Sequence, residues 1–166
     1  MNKLHLTGPT ALARTEKRVE PWRNADWQRL WLASQNPQRP WRSLALVPAG
    51  PGAVRELTLQ VAVGLAHIGM THLALPIHVA DATRVTLQQL VPLVDEIQTY
   101  TEGVGMILVA LPPLDESVTA VSLAQAADCA LLCVQLGLMS TAACKKTIEH
   151  IGPKRFIGSA VFRTKS

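Results

Sequence analysis

The chain has little cysteine, little charge and few aromatic residues other than tryptophan. Its three cysteines, Cys129, Cys133 and Cys144, cannot all pair, which excludes a disulfide-built fold, and we expect a reducing, cytoplasmic location. No apolar run approaches the roughly 18 residues of a membrane-spanning helix, and the first residues lack the apolar core of a secretory signal. With 48% hydrophobic and 17% charged residues, the 166-residue chain has the composition of one globular domain.

Motifs of several enzyme classes are also missing. The sequence has no Gly-x-Ser-x-Gly turn, no HExxH helix, no paired-glycine dinucleotide fingerprint and no Cys/His spacing typical of zinc. Cys129 and Cys133 lie in an apolar segment, which indicates buried thiols. His78 has Asp81 nearby but no further candidate ligands, so we expect an ordinary histidine and no metal site.

Positive charge and tryptophan are concentrated in the first quarter of the chain. Residues 1–43 contain eight basic and three acidic residues, whereas the remainder contains eight basic and nine acidic residues. All four tryptophans, Trp22, Trp27, Trp31 and Trp41, lie in the same segment. A basic, tryptophan-rich segment before a nearly neutral domain suggests a docking element.

A short helix is predicted at residues 24–34, because Trp27, Leu30 and Trp31 recur at the spacing of one helix face. If this face binds a partner, the candidate interaction residues are Trp27, Arg29, Leu30 and Trp31, since tryptophan and arginine dominate interface energetics. The alternative is that the helix folds back onto its own domain.

From residue 43 onward, short apolar runs alternate with helical stretches. The predicted strands are 43–47, 72–79, 105–111, 129–136 and 155–162, and the predicted helices are 53–68, 83–100, 116–126 and 140–152. Continuous apolar strands alternating with helices indicate a mainly parallel five-stranded sheet in a three-layer α/β sandwich. The predicted organisation is an irregular basic leader at 1–23, a short helix and linker at 24–43, and the α/β domain at 44–166.

The loop after the first strand, PAGPGAVREL at 48–57, is glycine-rich and leads into a helix. That is the setting of a phosphate-binding loop, in which backbone N–H groups surround phosphate oxygens. Gly50 and Gly52 suit this role. The positions that require a lysine and a hydroxyl instead hold Val54, Arg55, Glu56 and Leu57.

In the order of its elements the chain resembles the branch of P-loop ATPases that contains bacterial polysaccharide-export tyrosine kinases and MinD/ParA-like ATPases. The resemblance is carried by RSLALVPAGPGAVRELTLQVAVGLAHIG, GMILVALPPLDES and ADCALLCVQLGLMSTAACKKTIEHI, and it covers about residues 25–163. It implies a P-loop NTPase-like fold with functional loops at the carboxyl ends of the strands.

The departures from that family fall on its nucleotide-handling positions. Arg55 replaces the loop lysine, and Ala110 replaces the aspartate of the third strand. Pro76 and His78 stand where the resemblance places two aspartates after the second strand, and Phe162 stands where it places an adenine-reading asparagine. The vestigial nucleotide-site positions are therefore Gly50, Gly52, Val54, Arg55, Glu56, Leu57, Pro76, His78, Ala110 and Phe162.

These departures imply a relative without ATPase activity, because phosphoryl transfer depends on positioning and electrostatic stabilisation by the side chains that are replaced here. The family's tyrosine cluster is missing too, since the chain has one tyrosine, Tyr100. We expect a non-catalytic interaction or regulatory module with no cofactor. Its partner would be a second copy, an active ATPase, or a membrane protein of polysaccharide export that brings the module to the membrane.

Two alternatives stay open. The chain could bind ATP with Mg²⁺ through Arg55, taking metal ligands from Asp81 or Asp115, or it could associate with DNA through its basic leader. The leader's charge is modest for DNA binding and no recognised reading motif accompanies it. Glu56 either fills the anion site from within or is an ordinary acid of a first helical turn, a placement worth about 0.3–1 kcal/mol.

Overall fold

The computed structural model describes residues 25–51, 56–74 and 76–163. In chain order the elements are α1 (Ala25–Ser34), β1 (Ser43–Pro48), α2 (Leu57–Leu73), β2 (Ile77–Asp81), α3 (Leu87–Glu102), β3 (Met106–Ala110), α4 (Ala120–Ala126), β4 (Cys129–Leu136), α5 (Thr141–Ile151), a 3-10 turn (Pro153–Arg155) and β5 (Phe156–Arg163). The predicted alternation of strands and helices is confirmed.

The five strands form one sheet with the order β2-β3-β1-β4-β5, and all four strand pairs are parallel. Ala45 of β1 lies opposite Val109 of β3 on one side and Ala130 of β4 on the other. All six residues of β1 are buried, because the strand has neighbours on both sides and helices on both faces. The predicted mainly parallel five-stranded sheet is therefore confirmed, and every strand pair in it is parallel.

The direction of each crossover decides which face its helix covers. α2 connects β1 to the outer strand β2, whereas α3, α4 and α5 make connections that run the other way across the sheet. Right-handed crossovers therefore place α2 on one face and the other three helices on the opposite face. The core divides accordingly: Leu65 of α2 packs in one cluster, and Ile97, Leu123 and Ile151 pack in the other.

On one face of the sheet α2 is the only helix that connects two strands, and α1 packs beside it on that face. The Trp27 ring lies 5.9 Å from that of Phe162 on β5, and the Trp31 ring lies 6.2 Å from that of Trp41. The indole Nε1 of Trp41 donates a hydrogen bond of 2.8 Å to the Ser34 carbonyl at the end of α1. The large indoles thus fill the space beside α2 with side chains rather than with a second crossover helix.

The end of α2 differs from the sequence prediction. A stop near Gly69 is predicted, yet the helix continues to Leu73 and ends at Ala74, which has a left-handed φ of 52°. Gly69 is needed for close packing, since a Cβ there would lie 2.6 Å from Cη2 of Trp31 and 2.3 Å from Cδ1 of Ile77. The predicted second strand, 72–79, consequently begins five residues later than expected.

Pro92 lies within the predicted helix 83–100, where a proline is expected to kink or break the helix, and its effect in the structure is different. α3 runs through it without interruption, from Leu87 to Glu102. Pro92 has no N–H to donate to the carbonyl of Gln88, but both residues lie on the exposed side of the helix, where water can serve that carbonyl. A capping box between Thr86 and Gln89 supports the first turn.

Asp128 fixes the amino ends of two central strands. Its Oδ2 accepts hydrogen bonds from the backbone N–H groups of Arg42 at 2.7 Å and Ser43 at 3.1 Å. The Ser43 hydroxyl accepts in turn from the Asp128 N–H at 2.8 Å. This reciprocal pair aligns β1 with β4 at the amino ends of the strands.

None of the helices in the described ranges combines the length and apolar character needed to cross a bilayer.

Candidate functional site

The carboxyl end of β1 is the topological switch point of the sheet. The chain leaves β1 toward one face through α2, while the neighbouring strands β3 and β4 lead to α4 and α5 on the other face. Open parallel α/β sheets bind their ligands in the crevice that such a divergence creates. The loop between β1 and α2 therefore occupies the position where a ligand is expected.

The start of this loop packs tightly against the protein itself. A Cβ on the buried Gly50 would lie 2.7 Å from Cβ of Ala143 on α5. The Ala49 N–H donates to the Cys133 carbonyl at 2.9 Å, and the Ala49 carbonyl accepts from the Thr147 hydroxyl at 3.0 Å. Gly50 thus permits an approach of helix to loop, and the Ala49 peptide groups are already satisfied.

The first turn of α2 offers no hydroxyl to a ligand. Glu56 is exposed at the N-cap and makes no capping hydrogen bond through its side chain, and Leu57 is fully buried. Thr58 carries a hydroxyl, but this donates to the Leu111 carbonyl at 2.7 Å in a buried environment. The sequence did not predict the hydrogen bonds that the Thr58 and Thr147 hydroxyls make to backbone carbonyls. The one indication of them in the sequence is a single threonine on the buried face of each helix.

The end of β3 is apolar. Ala110 and Leu111 are both completely buried. The Ala110 carbonyl accepts from the Ala82 N–H at 2.9 Å, and the Leu111 N–H donates to the Leu46 carbonyl at 3.0 Å. The position where the resemblance places an aspartate thus holds a methyl group within the core.

Two of the vestigial positions were assigned to the wrong end of β2. Pro76 precedes the strand and His78 is its second residue, so both lie at the amino end. The error follows from the predicted strand 72–79, which ends too early. The residue at the carboxyl end is Asp81, opposite Ala110 of β3.

The Asp81 carboxylate already has local partners. Its Oδ1 accepts hydrogen bonds from the Thr83 N–H at 3.0 Å and the Thr83 hydroxyl at 2.6 Å. These bonds form an Asx turn that begins the loop to α3. Asp81 is nevertheless exposed, and it is the acidic side chain that the structure places at this end of β2.

Phe162 contributes to packing rather than to an open adenine site. It lies on β5, partly buried, and it contacts the core cluster that contains Trp27. Gly52, Val54 and Arg55 lie outside the described residues, as does the basic leader at 1–23.

The candidate interaction residues divide into two groups. Trp27 and Trp31 are 5% and 3% exposed within the chain's own core, and Leu30 packs against the same cluster. This burial favours the interpretation in which the tryptophans attach α1 to its own domain. Arg29 is exposed and pairs with Asp26 one turn away, at 3.0 Å.

A groove of about 420 Å³ lies at the outer edge of the sheet, between β2 and α3. Within it, Nε2 of His78 lies 3.1 Å from Oε1 of Glu96, and the His78 ring stacks on Tyr100 with centroids 5.6 Å apart. Asp81, Gln88 and Gln89 add polar side chains to its lining. This groove is two strands away from the switch point at β1.

No group of three or more His, Cys, Asp or Glu side chains in the part of the chain that the structure describes is placed to hold a metal ion. Protein-family models were scanned without a match, and no curated protein matches the sequence. The five-stranded parallel α/β fold is compatible with a P-loop NTPase-like fold. Assignment to the tyrosine-kinase and MinD/ParA branch stays a prediction from the resemblance.

Proposed function

We propose that this protein is a non-catalytic interaction or regulatory module that uses a P-loop NTPase-like fold without nucleotide turnover. The observation that carries the proposal is the state of the carboxyl ends of β1 and β3. Among the described residues, the Ala110 side chain there is apolar and buried, and the Thr58 hydroxyl and the Ala49 carbonyl are already hydrogen-bonded within the chain. Phosphate and Mg²⁺ need donors and carboxylates that are free to meet them.

The close contact of Gly50 with Ala143 supports the same proposal. In a working phosphate loop the backbone of the glycines faces the ligand. Here the missing side chain of Gly50 instead makes room for Ala143 of α5. Glu56 adds a negative charge at the start of α2, where the helix macrodipole would otherwise attract phosphate. An active function would have to use Arg55 and carboxylates outside these positions.

Nucleotide titration tests the proposal directly. Calorimetry with Mg-ATP is expected to show no measurable heat of binding and no hydrolysis, while a P-loop ATPase with its lysine and hydroxyl intact verifies the assay. The variant Glu56→Gln removes the carboxylate from the exposed N-cap. Mg-ATP binding by this variant but not by the wild type would show that Glu56 fills the anion site from within. If the packing of Gly50 against Ala143 closes the site, neither protein is expected to bind Mg-ATP.

Asp81 is the observation that favours a second candidate, an atypical nucleotide-binding enzyme that uses Arg55 and a shifted carboxylate. Its position at the carboxyl end of β2 is where a metal-binding acid would be useful. Micromolar Mg-ATP affinity that Asp81→Asn abolishes would establish this alternative and overturn the non-catalytic one. A role in polysaccharide export rests on the resemblance alone and stays a proposal.

A further inference from the structure

The sheet has two edges, and in the described residues each edge strand has one strand partner: β2 pairs with β3, and β5 pairs with β4. Unpaired edges are templates for pairing with another chain unless charge, proline or a bulge protects them. A register shift leaves an extra residue, Ile157, near the start of β5, and the Phe156 carbonyl accepts a hydrogen bond of 3.3 Å from Arg39. From Gly158 to Phe162 the pairing with β4 is regular, the strand carries no charge and no proline, and Val161 is 56% exposed. This later part of β5 is therefore an unprotected edge.

The side of the molecule that carries β5 is basic. Residues 141–163, which form α5, the 3-10 turn and β5, contain five basic residues and one acidic residue. Four of these cations are exposed, and none of the five makes an ion pair within the described residues. The basic residues on this side are Lys145, Lys146, Lys154, Arg155 and Arg163.

The opposite side, which carries β2, is acidic. Residues 77–105, which contain β2 and α3, hold four acidic residues and one basic residue, Arg84. The acidic residues, all exposed, are Asp81, Asp95, Glu96 and Glu102. The groove between β2 and α3 opens on this side and provides space for incoming side chains.

The two edges are complementary to each other but not to themselves. Pairing β5 with β5 would bring two basic sides together, and pairing β2 with β2 would bring two acidic sides together; like charges across an interface disfavour both. If β5 of one copy extends the parallel sheet beside β2 of the next, α5 and α3 lie next to each other on the same face, because both helices cover that face.

We propose that a second copy of this chain docks its β5 edge against the β2 edge, so that copies assemble head to tail with basic α5 beside acidic α3. The inference rests on the proposed function in that it names the partner of the interaction module. The contact is heterologous, so assembly continues beyond two copies. A twist of about 20–25° between neighbouring strands makes successive copies wind around an axis rather than stack flat.

Sedimentation of the full chain, over a concentration series and at low and high salt, tests the proposal. The average mass is expected to rise past that of a dimer at low salt. It should fall at about 1 M salt, where the Debye length is about 3 Å. Lys145→Glu with Lys146→Glu gives α5 a net negative charge like that of α3, and Asp95→Lys with Glu102→Lys gives α3 a net positive charge like that of α5. Each double variant alone is expected to self-associate at least about tenfold more weakly.

An equimolar mixture of the two double variants is the decisive arm, because α5 of each variant is then complementary in charge to α3 of the other. Restored assembly in the mixture supports the proposal and shows that both variants are folded. Ser122→Glu with Gln125→Glu, on the exposed side of the central helix α4, adds negative charge to the same layer and should leave assembly unchanged. Assembly lost in this control would overturn the proposal, since general charge would then explain the effect.

Three other results would overturn it: a wild type that stays monomeric throughout, an association that stops at two copies, or a mixture that fails to assemble. A monomer that binds no Mg-ATP refutes this inference and leaves the loss of the nucleotide site intact. An assembly that binds and hydrolyses Mg-ATP supports this inference and refutes the proposed loss of the nucleotide site.

Discussion

The two strand thiols illustrate how burial changes the chemistry of single residues. Cys129 and Cys133 are both completely buried within the sheet. Burial raises the pKa of the Cys133 thiol to about 12, and burial also raises the pKa of Cys129 to about 12, against an opposing effect of Arg39. Since the thiolate is the reactive form, both residues are inert packing groups at neutral pH.

We therefore expect iodoacetamide to modify one cysteine in the native protein at neutral pH. That residue is Cys144, which is partly exposed on α5. Mass spectrometry should show one added group on the native protein and three on the unfolded one, while Cys144→Ser should show none when native. Rapid modification of Cys133 in the native state would contradict its placement.

The same pKa shift has a consequence for stability. The unfolded thiols ionise near their ordinary pKa of 9.0, whereas the native thiols keep their protons up to about 12. Their contribution to the free energy of unfolding is complete below about pH 9 and is lost as the pH rises toward 12.

At the scale of elements, the contact between α1 and α2 depends on glycine. A Cβ on Gly64 would lie 2.5 Å from Cζ3 of Trp27. Gly64 lies in the middle of α2, where glycine costs about 1 kcal/mol of helix stability relative to alanine. The chain accepts this cost because the indole of Trp27 packs directly on the helix backbone.

Gly64→Ala is expected to lower the free energy of unfolding by up to about 2 kcal/mol, because an overpacking cost of about 1–3 kcal/mol is offset only in part by a gain of about 1 kcal/mol in helix propensity. Urea denaturation measures the effect. Gly158→Ala is the control, since a Cβ there would meet no atom within 4 Å.

A double-mutant cycle with Trp27→Leu isolates the contact. Removing the indole should relieve the effect of Gly64→Ala, so that the double variant loses less stability than the two single variants together. Strict additivity would mean that α1 does not pack on α2 as described.

At the scale of the whole molecule, α1 and its linker share the core of the sheet. Trp27, Trp31 and Trp41 belong to the same buried cluster as Leu46 of β1 and Leu131 of β4. The predicted boundary at residue 44 marks a change in sequence composition. The buried core nevertheless includes residues from both sides of that boundary. We infer that α1 and the sheet unfold together.

Tryptophan emission and far-ultraviolet circular dichroism should therefore report the same unfolding transition. Native emission is expected at short wavelength, because Trp27, Trp31 and Trp41, the tryptophans within the described residues, are buried. An earlier fluorescence transition, with the circular dichroism of the sheet unchanged, would show that α1 detaches independently.

Trp27→Ala with Trp31→Ala extends this test to the interaction hypothesis. Loss of two buried indoles, each worth about 3–5 kcal/mol, is expected to lower the melting temperature strongly or to prevent folding. The variants Trp27→Phe and Trp31→Phe, which keep a large aromatic ring in the core, are expected to stay folded for sedimentation. If they reduce assembly without reducing stability, the tryptophans contact a partner.

Local sequence patterns were enough to predict the fold class, because apolar strands and amphipathic helices are encoded by residues close together in the chain. The alternation after residue 43 identified all five strands and therefore the parallel sheet. The composition of the first loop likewise showed the missing lysine and hydroxyl without any coordinates. That Ala110 stands where the resemblance places an aspartate was also visible, since β3 begins and ends within a residue of its predicted bounds.

Only the tertiary structure decided features that depend on contacts between distant segments. Gly69 resembles a helix stop in the sequence, but Trp31 and Ile77 pack against it within a continuous α2. That extension moves the start of β2 to Ile77 and places Asp81, rather than His78, at the carboxyl end. The acidic and basic edges arise in the same way: the charges are in the sequence, but the strand order separates them onto opposite sides of the sheet.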